Sequence, residues 1–257
     1  MTPGQALLAV AIGLVTGVLS GLFGVGGGIV MTPGLSILLS EAPIVAVATP
    51  LPVIFPTAIV GAWTYRKAGE VDLRAAALIC CSGVPSAIGG AALSDVVDGR
   101  ILLLITAALL AGQSIQILRG KDRSAEREDT PVSASMLLVV GLAAGLLSGL
   151  LGIGGGLVIV PVLTGVLGMP LKRTLGTSLV AIVALVVPGT IVHSLLGHLD
   201  WNAAVGLTLG ALPGARIGAK IALGARERTL RIAVGSFLAT VAIGYGAQQV
   251  AELARGR

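Results

Sequence analysis

Two stretches of this chain are nearly the same. Residues 20–39 read SGLFGVGGGIVMTPGLSILL and residues 148–167 read SGLLGIGGGLVIVPVLTGVL, with 11 of 20 positions identical. The offset is 128, half of the 257 residues. It holds without a gap beyond the motif: Thr49 matches Thr177, Gly61 matches Gly189, Gly69 matches Gly197, Asp72 matches Asp200, Pro85 matches Pro213 and Arg100 matches Arg228. Self-similarity in one register over about a hundred residues marks an internal duplication. The fold must therefore be built from two copies of one unit, each opening on the same glycine-rich stretch.

Composition says where those units live. Charged residues make up 11% of the chain, against about 25% in a soluble domain. Apolar residues reach 55% and mean hydropathy is +0.99. The apolar residues fall in blocks of about 18–22, enough to cross roughly 30 Å of hydrocarbon as helix. The expected class is an all-α polytopic membrane protein. Its net charge of +5 sits in loops between spans, where basic residues set orientation, so no nucleic-acid partner is implied. Cys80 and Cys81 are adjacent in an apolar block and give no disulfide framework, zinc spacing or redox motif. The N-terminus lacks the basic start of a secretory signal, so the first block reads as a retained span.

In the first half, the blocks are 5–19, a short piece at 29–39, then 44–63, 75–93 and 101–118. Loop charge bears on the topology. With the short pieces crossing, each half has five spans and the second half is inverted. The inner loops then hold 13 Lys and Arg, the outer ones 3, and Arg216 lies within a span. With re-entrant short pieces the division is 9 against 7, which orients nothing. Equivalent loops have also exchanged basic residues: Arg66 and Lys67 correspond to Ser194 and Leu195, and Ala92 to Lys220. The reading is two inverted repeats of about five transmembrane segments each, residues 1–118 and 132–257. A cytoplasmic linker, 119–131, joins them, and both termini lie outside. Residues 26–39 give only about 21 Å of helix, so whether the short pieces cross fully stays open. Trp63, Tyr65, Trp201 and Tyr245 fall at span ends and read as interfacial anchors.

Three successive glycines destabilise a helix by roughly 1 kcal/mol each and free backbone groups that need partners. Tight packing is one explanation. Broken helices at matching positions of two halves are the other, and they point to a transporter site at the midplane. There, helix N-termini offer N–H groups to an anion. A dinucleotide fingerprint fails because Ile29 and Leu157 stand where Gly or Ala is needed, and no Gly-Lys-Ser/Thr follows either triplet.

The pattern resembles the sulfite exporter TauE/SafE family. The likeness rests on GLFGVGGG with Pro33, GLLGIGGG with Pro161, Gly176-Thr177-Ser178, and residues 212–219, LPGARIGA. It implies transport of sulfur-containing anions, such as sulfite or sulfonates like sulfoacetate, across a bacterial inner membrane by a multi-pass protein. Export is the expected direction, with import of the same class, or of another small anion, as the alternative. In the first half Thr49-Pro50 replaces Thr177-Ser178, so the two half-sites are expected to be unequal.

The candidate substrate-binding residues are Gly26, Gly27, Gly28, Thr49, Gly154, Gly155, Gly156, Thr177, Ser178 and Arg216. The hydroxyls begin long spans and could donate to an oxyanion, or could cap and back-bond their own helices. Arg216 matches an oxyanion bidentately, or snorkels to the inner surface beside Lys220. His193 and His198 read as surface histidines near an outer span end. All twelve acidic residues fall in loops or at span ends, so no proton-coupling carboxylate is evident. No catalytic residue, metal site or cofactor is expected, and the chain does not read as an enzyme. Its partners are a small sulfur-containing anion and the lipid bilayer, with a homo-oligomer left open.

Overall fold

In hydrocarbon a backbone has no water to bond to, so a chain this apolar must satisfy its own amides as helix. The computed structural model describes residues 3–39, 41–94 and 133–230, with residues 232, 233, 235, 236, 239, 240, 243 and 244 beyond them. Among these there is helix and no strand. The predicted span 101–118, the linker 119–131, Arg100 and Tyr245 lie outside the described residues.

The first half contains α1 (Pro3–Phe23), α2 (Gly28–Pro33), α3 (Pro43–Ala48), α4 (Pro50–Lys67) and α5 (Leu73–Ser94). The second contains α6 (Ala134–Leu151), α7 (Gly156–Pro161), α8 (Leu171–Leu195) and α9 (Trp201–Gly224). Helices α3 and α4 join at Thr49 into one apolar rod of 25 residues. That rod, α1, α5, α6 and α8 are each long and apolar enough to cross a membrane. The chain is an all-α polytopic membrane protein.

Both short helices end alike. Pro33 and Pro161 lack the N–H that would continue the ladder, and each is followed by a π-helical turn, Gly34–Leu38 and Val162–Val166. Each short helix with its wide turn has about 11 residues and a length of roughly 17 Å, half of the hydrocarbon thickness.

Small residues fix the pairings. Gly13, Gly17 and Gly21 of α1 meet the carbonyls of Leu207, Ala211 and Ala215 on α9. Gly141, Gly145 and Gly149 of α6 meet those of Ile79, Gly83 and Ala87 on α5. The contacts rise together, so both pairs run parallel. At each of these six glycines a Cβ would overlap the facing backbone, and the four-residue spacing is that of close membrane-helix packing. Between the rods, Gly61 meets Leu179 and Gly189 meets Leu51, so α4 and α8 run antiparallel. These contacts recur at the 128-residue offset.

Charge gathers at one end. There α4 ends, α5 and α8 begin and α9 ends. Arg173 pairs with Asp72 at 3.5 Å, and Lys172 donates to the Leu223 carbonyl at 2.7 Å. Every described Lys and Arg lies at this basic face or in the last part of α9. The opposite face holds Glu41, His198 and Asp200.

Candidate functional site

At the turn after α1, the backbone dictates the residues. Gly24, Gly26 and Gly27 have φ of 66°, 83° and 83°, and Gly152, Gly154 and Gly155 have 65°, 84° and 78°. A side chain at such a φ is strained by about 1–3 kcal/mol. The third glycine of each triplet has a different reason. A Cβ on Gly28 would come within 2.8 Å of the Gly152 carbonyl, and one on Gly156 within 2.9 Å of the Gly24 carbonyl. The two loops therefore press on each other, while Ile54 and Ile182 pack beside Gly26 and Gly154. From Gly24 to Ile29 and from Gly152 to Leu157 every residue is buried.

Hydrogen bonding in the loops is incomplete. Gly24 and Gly152 donate to the carbonyls of Ser20 and Ser148 at 2.9 and 3.0 Å. Among the described residues nothing accepts from the amides of Gly26, Gly27, Gly154 or Gly155. Two buried hydroxyls in the last turns of α1 and α6, those of Ser20 and Ser148, also lack a partner, as does that of Thr164. Ser20 packs on Gly27, whose Cβ would sit 3.3 Å from the serine Cβ. Such buried donors are uncommon in native proteins, and each needs an account. Thr164 apart, they come in two matching sets, one per repeat.

The other predicted residues divide. Ser178 joins the site: its hydroxyl donates to the Gly24 carbonyl at 2.8 Å. Pro50 stands at the matching position, so the Gly152 carbonyl lacks that tie. Thr49 and Thr177 lie toward opposite faces and brace one half against the other. The Asp200 amide donates to Thr49 at 3.1 Å and the Asp72 amide to Thr177 at 2.8 Å. The aspartate side chains cap the helices that follow, Asp200 accepting from Asn202 and Ala203, and Asp72 from Ala75. Arg216 is not brought to the loops. It is exposed, on the side of α9 away from α1, in a cleft with Trp63, Lys67 and Lys220.

Two expectations are corrected. Trp63 and Trp201 are more than half exposed, but Tyr65 is fully buried and donates to the Gly21 carbonyl at 3.0 Å. His193 is no surface residue. It is fully buried, with Nε2 3.2 Å from the Gly149 carbonyl and Nδ1 3.2 Å from His198. Tyr65 and His193 are 128 residues apart and so are Gly21 and Gly149, so one buried bond is made by two different side chains. The change of residue type hides this from the sequence. Ser20 and Ser148 were visible as identical letters opening both copies, yet a serine inside an apolar helix carries no signal of its missing partner.

A match to the sulfite exporter TauE/SafE family covers residues 9–245. The chain is 29% identical to the Probable membrane transporter protein YunE of Bacillus subtilis over 239 residues, covering 84% of this chain and 88% of that one. It is 28% identical over 249 residues to a Probable membrane transporter protein of Xylella fastidiosa, with 95% of each covered. A third relative, the Probable membrane transporter protein MJ0441 of Methanocaldococcus jannaschii, is 28% identical over 258 residues, covering 92% of this chain and 93% of that one. No solved structure matches.

Proposed function

Because the chain belongs to the sulfite exporter TauE/SafE family of membrane transporters, we propose that it exports small sulfur-containing anions, sulfite or a sulfonate such as sulfoacetate, from the cytoplasm. The observation that carries the reading is a set of buried donors at the meeting loops that find no acceptor among the described residues: the amides of Gly26, Gly27, Gly154 and Gly155 and the hydroxyls of Ser20 and Ser148. All are donors and none is a carboxylate, so the group they suit is an oxyanion. Preorganised N–H and O–H donors in a water-poor site bind negative charge strongly.

The mechanism is alternating access. Parallel α1–α9 and α5–α6 pairs with antiparallel α4 and α8 support a reading in which the second half repeats the first upside down. Two inverted halves rocking about a midplane site would expose it to each side in turn. Here the loops touch through Gly28 with Gly152 and Gly156 with Gly24, so entry of an anion requires them to part. The basic face is read as cytoplasmic by the positive-inside rule. An inside-negative potential then favours anion efflux by about 2.3 kcal/mol per charge per 100 mV.

Calorimetric titration of sulfite and sulfoacetate into purified protein tests the site. A hydrogen bond to a charged group contributes about 1.5–3 kcal/mol, so S20A/S148A should bind at least tenfold more weakly. Unchanged affinity would remove both serines from the site.

A further inference from the structure

We infer a second anion site, distinct from the glycine loops: a cleft between α4 and α9 that holds one anionic phospholipid of the cytoplasmic leaflet. The cleft measures about 850 Å³ and is lined by Ile59, Val60, Trp63, Thr64, Lys67, Ala68, Arg216 and Lys220. That volume falls within the roughly 300–1,000 Å³ of small-molecule sites. Its floor is apolar, because Ile59 and Val60 point along it and the Thr64 hydroxyl is turned back to the Val60 carbonyl at 2.8 Å. Its upper end is cationic and lies at the basic face.

Three positive side chains converge there with no carboxylate among the lining residues. At this face two cations find protein partners: Arg173 has Asp72 and Lys172 has the Leu223 carbonyl. Among the described residues, Arg216 and Lys220 make no such ion pair. Lys67 has an aromatic partner, its Nζ lying 5.3 Å from the Trp63 ring centroid, and no ion pair among the described residues. Arg216 and Lys220 are one helical turn apart on one face of α9, and Lys67 and Trp63 are one turn apart on α4. An uncompensated guanidinium a turn below the interface is costly in hydrocarbon and is relieved by a phosphate, which its planar fork matches.

A soluble anion fits the cationic end but leaves the apolar floor exposed. A phospholipid fills both, with its phosphate among Lys67, Arg216 and Lys220 and an acyl chain over Ile59 and Val60. Trp63, 58% exposed, sits at the headgroup level where such rings concentrate. Basic pockets between helices on the cytoplasmic side have this preference for anionic headgroups.

Native mass spectrometry of the full chain, released from nanodiscs of phosphatidylcholine with added phosphatidylglycerol, reads the site directly. Each basic side chain near an anionic surface favours binding about fivefold. R216Q/K220Q should therefore retain phosphatidylglycerol roughly 25-fold more weakly than the wild type. R226Q/R228Q, the same charge change at the same face outside the cleft, should leave retention unchanged. If R216Q/K220Q does not survive purification, K67Q serves, with an expected loss of about fivefold. Three results would overturn the assignment: no phosphatidylglycerol retained by the wild type, equal loss in the control variant, or displacement of the lipid by inorganic phosphate or sulfite. The readout is bound lipid, so it stands or falls independently of anion transport.

Discussion

At Ser20 and Ser148 the hydroxyls are buried without partners, which separates binding from stability. An unpaired buried donor carries a desolvation cost that alanine does not. S20A and S148A should therefore unfold at or slightly above the wild-type midpoint while losing anion affinity. A purely structural serine would show the opposite. Glu41, on the face away from the basic end, gives a pH test. Burial, the neighbouring Asp200 carboxylate and a hydrogen bond to it push the Glu41 carboxyl above its usual range. The folded chain thus holds this proton more tightly than the unfolded one. Its contribution to stability is full below the unfolded value, about 4.3, and is lost as pH rises through the raised folded value. E41Q keeps an amide hydrogen bond to Asp200 without the titration. Its stability relative to the wild type should rise from acid to neutral pH, as measured by thermal unfolding in detergent. A difference that is constant with pH would refute the coupling.

The helices were largely legible in advance, because hydropathy blocks and a gapless offset locate spans without knowledge of contacts. The triplets were legible as breaks but not in their division of labour. Gly27 and Gly155 are needed for positive φ, Gly28 and Gly156 for contact between loops, and neither φ nor a neighbour is written in a run of like letters. Of the two readings open to Arg216, oxyanion contact or a place beside Lys220 at the inner surface, the side of α9 that it occupies goes with the second. Gly210, Gly214 and Gly218 of α9 pack on α1, and a residue two positions from the last two points the other way on a 3.6-residue turn. The stripes themselves make a prediction. A Cβ on Gly145 would overlap the Gly83 carbonyl, whereas Gly89 has open space. G145L should lower stability by about 1–3 kcal/mol through overpacking, and G89L should leave it nearly unchanged. Equal behaviour of the two variants in thermal unfolding would contradict the α5–α6 contact.

For the whole molecule, the central matter is direction. Ala68 ends α4 and Leu196 ends α8, both are exposed, and the two positions correspond at the repeat offset. In a chain of two inverted halves, a cysteine replacing Ala68 reacts with an impermeant thiol reagent only from the cytoplasm. One replacing Leu196 reacts only from outside, with Cys80 and Cys81 first replaced by alanine. Labelling of both from one side would remove the inverted arrangement and the alternating-access scheme built on it. The asymmetries between halves carry meaning in the same frame. Ser178 ties one loop where Pro50 cannot, and Asp72 faces Arg173 where Asp200 faces Glu41. The two halves are thus held by different chemistry at matching positions.

The most direct test of the account is sulfite efflux from proteoliposomes with an imposed diffusion potential. Wild-type protein should release loaded sulfite or sulfoacetate faster when the interior is negative, and S20A/S148A should slow that release at least tenfold. Release indifferent to the potential, or equal in the wild type and the double variant, would contradict an anion exporter built on the two glycine loops.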